Sequence, residues 1–191
     1  MSGRAKDRIG EVLEFWFGDG SEPERARRWF AADAAFDRDC RGGFLADYER
    51  AAAGELDEWR ATAAGALALI LLLDQFPRNM FRNSARAFAT DSRALAAARA
   101  AIARGFDRAL PAERRAFVYM PFEHSENPAA QDESVRLFRA LAREHPELAD
   151  YVRYAEEHRE IVKRFGRFPH RNGVLGRAST REELEFLDRP A

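Results

Sequence analysis

Residues 67–82 read LALILLLDQFPRNMFR, and the reading of this stretch decides the fold. Leu67, Leu69, Ile70, Leu71, Leu72 and Leu73 would cover every side of a helix, which marks an element enclosed by others. Apolar content alone also fits a buried strand, but leucine and alanine favour helix. The spacing therefore predicts a central helix over 62–76. Pro77 is expected to stop it, because its ring would meet the carbonyl of Leu73.

Working outward, the same period returns. Ile9, Val12, Leu13 and Trp16 follow the i, i+3, i+4, i+7 rule, with Gly18 placed to cap the end. A second helix is predicted over 23–30. Asp33 can N-cap a third, whose stripe is Phe36, Cys40, Phe44 and Tyr48. The Gly42-Gly43 pair weakens that helix and is expected to let a neighbour come close. Thr90 or Asp91 caps an alanine-rich helix ending at Gly105. Pro111 opens a short helix carrying Phe117 and Met120, and Pro121 is expected to end it. Pro128 opens the next, with Gln131, Val135, Phe138 and Ala142 along one face. A long helix over 147–165 should bury Leu148, Tyr151, Val152, Ala155 and Val162. Ser179 or Thr180, followed by Glu182 and Glu183, forms a capping box for a last short helix. No alternating run of Val, Ile or Thr suggests a strand. The expected fold is all-α, one domain over 1–191 with about eight to ten helices and no sheet.

The chain of 191 residues can bury roughly 70% of the surface its unfolded form exposes, so it needs no covalent staples. A hydrophobic share of 46% beside 33% charged residues argues against disorder. The net charge of -1 gives no electrostatic case for nucleic acid. Cys40 is the only cysteine, which rules out an intramolecular disulfide and a cysteine metal cluster; its place in a helical stripe reads as core. The start, MSGRAKDRIGEVLEF, lacks a secretory leader's apolar stretch, and the run 66–73 is far short of the ~20 residues that cross a bilayer. A cytoplasmic setting with no membrane association is expected.

Three stretches break the amphipathic pattern: 71–82, 120–128 and 158–177. Each lies at a predicted helix end, holds a proline and gathers Asp, Glu, His, Arg and Asn. Helix ends leave backbone groups unpaired, so they form a natural polar rim in a helical array. In the first, Asp74 ends a buried helix, where a lone carboxylate is costly, and Arg78 is the obvious partner. Gln75, Arg78 and Asn79 are either amide caps and an ion pair or ligand-facing donors. In the second, a histidine between carboxylates suits acid–base work, so Glu123 and His124 are the catalytic candidates, with Glu126 beside them. The bland alternative is a helix-to-helix turn. Gln131 hints at an inward polar group nearby. In the third, Gly166 is a helix C-cap and Pro169 forbids the helix to resume. Arg167, His170, Arg171, Asn172 and Arg177 offer many donors suited to a carboxylate or phosphate, or else cap helix ends and pair with Asp74, Glu123 or Glu126. His158 sits at the edge of an apolar stripe and reads as a core histidine or a ligand contact. His124, His158 and His170 match no metal-binding spacing, so neither a metal nor a cofactor is expected. No phosphate loop, GxSxG elbow or Cys–His pair is present.

LALILLLDQFPRNMFR, YMPFEHSENPAAQ and FGRFPHRNGVLGRAST, with VLEFWFG at 12–18, resemble the signatures of an uncharacterised bacterial domain-of-unknown-function family. The likeness spans nearly the whole chain. It implies an all-helical, tetratricopeptide-repeat-like superhelix, although the tetratricopeptide consensus itself is absent. It implies no activity. Three readings stand: a binding protein for an anionic small molecule or peptide carboxylate, a hydrolase- or transferase-like enzyme using Glu123 and His124, or interlocking structural turns.

Overall fold

A computed structural model of the chain describes residues 2–18, Trp29 and 33–188. Among the described residues there are eight α-helices, joined partly by 3-10 turns, and no strand. They are α1 (Ser2–Phe17), α2 (Ala34–Ala53), α3 (Ala63–Met80), α4 (Asp91–Ala103), α5 (Ala112–Glu123), α6 (Pro128–Glu144), α7 (Ala149–Phe165) and α8 (Arg181–Leu187). The all-α expectation holds. The helix predicted over 23–30 lies outside the described residues, apart from Trp29, which is helical.

The leucine run is the centre of the molecule. Leu67 and 69–73 are all 0% exposed, and α3 packs against α1, α2, α4 and α5. Phe76 on the same helix closes an aromatic cluster with Trp16 at 5.0 Å and Phe44 at 5.0 Å. Thr62 caps α3 by accepting the Gly65 N–H. A Cβ at Gly65 would lie 2.2 Å from the carbonyl oxygen of Trp59, so glycine is what lets the preceding turn close on the helix start.

Several expected boundaries move. α3 does not stop at Pro77 but runs through it to Met80, and α5 likewise carries Pro121 inside. Pro77 has no N–H for the Leu73 carbonyl. The Thr90 hydroxyl donates to that oxygen instead, at 2.6 Å, so a distant side chain replaces the missing helical bond. The close approach expected at Gly42 and Gly43 is not there either: a Cβ at either meets nothing within 4 Å. Other ends follow the sequence. Asp33 caps α2, Asn127 caps α6, Gly166 closes α7 at φ 69°, and Thr180 with Glu183 forms the capping box of α8. Cys40 is fully buried, and burial pushes its thiol up to about 12, as befits a core residue.

Candidate functional site

The ends of α3 and α5, the start of α4, the middle of α7 and the turn after it meet in one polar cluster. α3 delivers Asp74 and Arg78 one turn apart, so both face α5 and α4. Asp74 is 0% exposed. Its carboxylate accepts the His124 Nδ1–H at 2.8 Å and the Gln75 Nε2–H at 2.6 Å, while Arg78 Nη1 stands 3.4 Å away and also donates to the Asp74 carbonyl. The expected Asp74–Arg78 pair is present, but His124 is the nearer partner. Burial alone would raise the Asp74 carboxyl; Arg78 and His124 outweigh it and hold it at about 2.

An ionised Asp74 fixes the imidazole as the tautomer with its proton on Nδ1. Nε2 then carries the lone pair, and no described residue bonds to it. Burial and then Arg78 press the imidazole below its usual value, against the pull of Asp74, so it is neutral at pH 7. Its neighbour behaves in the opposite sense. Glu123 is buried and lacks a guanidinium partner, and burial followed by the Asp74 charge pushes its carboxyl up to about 8. His158 Nδ1 lies 3.3 Å from Glu123 Oε1 but donates to the Tyr154 carbonyl at 2.8 Å; burial lowers this ring to about 4. At neutral pH the cluster thus holds a neutral imidazole base beside a protonated carboxylic acid.

The end of α5 is held in place carbonyl by carbonyl. Gln131 on α6 donates Nε2 to both the Glu123 and Ser125 oxygens at 2.6 Å, and Arg171 Nη2 donates to the His124 oxygen at 3.0 Å. These are among the carbonyls that any helix C-terminus leaves without an intrahelical donor. The inward polar group hinted at by Gln131 is therefore the backbone of the Glu123–Ser125 turn.

Asp91 joins the two arginines. Arg78 Nη1 and Arg171 Nη1 stand 3.0 Å from its two oxygens, and both guanidiniums lie over the Phe88 ring, at 5.7 and 4.4 Å. Two carboxylates, Asp74 and Asp91, thus match two guanidiniums. Burial brings Arg171 down to about 10 in spite of Asp91.

Glu126, Arg167, Asn172 and Arg177 form a second network. Glu126 accepts the Phe168 N–H at 2.8 Å and grips Arg177 through both Nη atoms at 2.8 and 3.0 Å. Asn172 binds Ser179, Glu183 and Arg177, and Arg167 pairs with Glu183 at 2.6 Å. Asn79 bonds to the Gln75 carbonyl and Arg82. His170 is exposed, its ring 5.6 Å from Phe168. Of the arginines and asparagines that follow Pro77 and Pro169, only Arg78 and Arg171 meet, through Asp91; Asn79 and Asn172 serve separate turns. Asp91 stands in the sequence as one helix-start residue among several, and Thr90 beside it as a cap. No local pattern distinguishes their actual partners.

The model of a family of bacterial proteins of unknown function, DUF924, matches residues 12–191. The chain belongs to that family. The solved structure of ATU0120 from Agrobacterium tumefaciens, a protein of unknown function, is similar to it at 43% identity and a TM-score of 0.87, covering 96% of this chain and 98% of that one. No curated protein matches. All three motif stretches fall inside the residues that the DUF924 model matches. Among the described residues no helix is long and apolar enough to cross a membrane.

Proposed function

We propose that the chain is a hydrolase-like acid–base enzyme acting on a small molecule, with His124 as base, Asp74 as its orienting carboxylate and Glu123 as acid. The observation that carries this reading is the opposed protonation of neighbours: Asp74 fixes the His124 tautomer with Nε2 unbonded, while Glu123 keeps its proton up to about 8. Pairs of groups whose surroundings drive their proton affinities apart are the usual mark of an acid and a base sharing one site. His124 Nε2 takes a proton from water as the water oxygen bonds to an acyl carbon. Glu123 gives its proton to the leaving oxygen or nitrogen as that bond breaks. The imidazolium then returns a proton to the Glu123 carboxylate through solvent, which restores the starting state. A cytoplasmic setting belongs to the same reading, supported by the lone, buried Cys40.

The test is hydrolysis of p-nitrophenyl acetate and of an unactivated alkyl ester by the purified chain. A His124→Gln variant is expected to lose about a hundredfold on both. Glu123→Gln should lose a comparable factor on the alkyl ester alone, because p-nitrophenolate leaves without a proton. Undiminished turnover in His124→Gln sinks the proposal. The reading as a binding protein for an anionic small molecule or peptide carboxylate draws support from the arginine donors of the cluster, and would show as saturable binding without turnover.

A further inference from the structure

Two independent features meet at the first turn of α4. Thr90 is the N-cap residue, yet its hydroxyl is spent on the Leu73 carbonyl across the helix interface and makes no cap bond. The start of this 13-residue helix is left without a side-chain cap. Open N–H groups at a helix N-terminus carry partial positive charge and favour an anion. Against that turn lies Arg171, 6% exposed, with Nη1 on Asp91 and Nη2 on the His124 carbonyl. Its Nε–H is buried without an acceptor, and so is Nη2 of Arg78, the other guanidinium on Asp91. Buried donors with no acceptor are rare in folded proteins and call for an explanation. Here two of them flank one carboxylate, whose own Oδ1 is likewise buried without a hydrogen bond. The cluster lies near the surface: the Asp91 and Arg78 side chains are 17% and 19% exposed, and Phe88 is half-buried.

The geometry points to an anion seat at the start of α4, between Arg78 and Arg171, that takes a carboxylate or phosphate group of the substrate. The word substrate rests on the acid–base reading of His124 and Glu123; the seat itself does not. An entering oxyanion accepts from Arg171 Nε and Arg78 Nη2 and faces the first N–H groups of α4. Through the Arg171 bond to the His124 carbonyl, the anionic end of the molecule is fixed against the residue that carries the base. The Asp91 carboxylate is the competitor, since it already neutralises both arginines. A lysine at 171 keeps a charge for Asp91 but has neither the fork nor the Nε–H.

Calorimetric titration of the whole chain with inorganic phosphate, and separately with acetate, at constant ionic strength tests this. At least one of the two is expected to bind saturably, and which one does identifies the group. Arg171→Lys should weaken that binding about tenfold, whereas Asp91→Asn should strengthen it by a similar factor. Far-ultraviolet circular dichroism checks that each variant is folded, and Arg78→Lys, with the same expected loss, serves if Arg171→Lys is not. Absence of saturable binding by both anions, or affinities that all three variants leave unchanged, overturns the seat. Because titration reads no turnover, that failure leaves ester hydrolysis by His124 and Glu123 untouched, and loss of the hydrolysis reading leaves the seat untouched.

Discussion

Asp74 and Glu123 are carboxyls buried in the same cluster, and their proton affinities run in opposite directions because their neighbours differ. Asp74 has Arg78 and His124 within reach, and the charged form wins in spite of burial. Around Glu123, burial and then the Asp74 charge favour its proton and together outweigh the more distant pull of Arg78. Folding therefore makes Glu123 bind its proton more tightly than the unfolded chain does, whose carboxyl titrates near 4.5. That contribution to stability is fully present below the unfolded value and is lost as pH rises through about 8. Asp74 works the other way: its contribution is present above the ordinary carboxyl range and lost as pH falls towards 2. Glu123→Gln keeps the shape and cannot ionise. Urea unfolding should find it near wild-type stability at pH 4, with an advantage that grows as pH rises and reaches about 4 kcal/mol at pH 9. Equal stability at pH 9 would mean that the carboxyl is not held protonated. Glu123 and His124 were legible in the sequence as a histidine between acids. Their protonation was not, because it depends on Asp74, some fifty positions away, and on Glu123 having no guanidinium bonded to it.

Helices were legible and their ends less so. Hydrophobic period and capping chemistry are local, which is why Asp33, Gly166 and Thr180 sit where their residue types suggest. Pro77 does not end α3, because a proline's effect depends on whether another group can satisfy the freed carbonyl. Thr90 does so at 2.6 Å from 17 positions downstream, and no window on the sequence reveals it. Removing that hydroxyl tests the account. Thr90→Val keeps the shape but leaves the Leu73 oxygen buried without a donor, at an expected cost of about 1–3 kcal/mol. Thr90→Ser retains the donor and should recover most of the loss. Guanidinium unfolding of both variants decides it: equal destabilisation would assign Thr90 to packing, not to repair of α3.

On the scale of the whole molecule, residues 166–188 differ from the rest in how they are attached. The helices α1–α5 are joined by an extensive apolar core. The last segment is fastened mainly by polar bonds, with the buried Phe168 ring and the Phe165–Phe186 contact at 5.1 Å as its apolar contribution. Glu126 is the principal fastener, since it holds the Phe168 N–H and both Nη atoms of Arg177. Burial would raise this carboxyl, but Arg177 and the Phe168 N–H bring it below its ordinary value, so the bond is ionic at neutral pH. The segment also carries Arg171, which reaches Asp91 and the His124 carbonyl. Opening it therefore takes a guanidinium away from the acid–base cluster while leaving α3 and its packing intact. Glu126→Gln can still accept an N–H but cannot hold the charge of Arg177. Hydrogen exchange should then show protection across 166–188 falling by about 1–3 kcal/mol in opening free energy, with α2–α5 unchanged. Wild-type protection throughout that segment would show that Phe168 and the Arg167–Glu183 pair hold it without Glu126. Loss of protection throughout the chain would make it part of the common core.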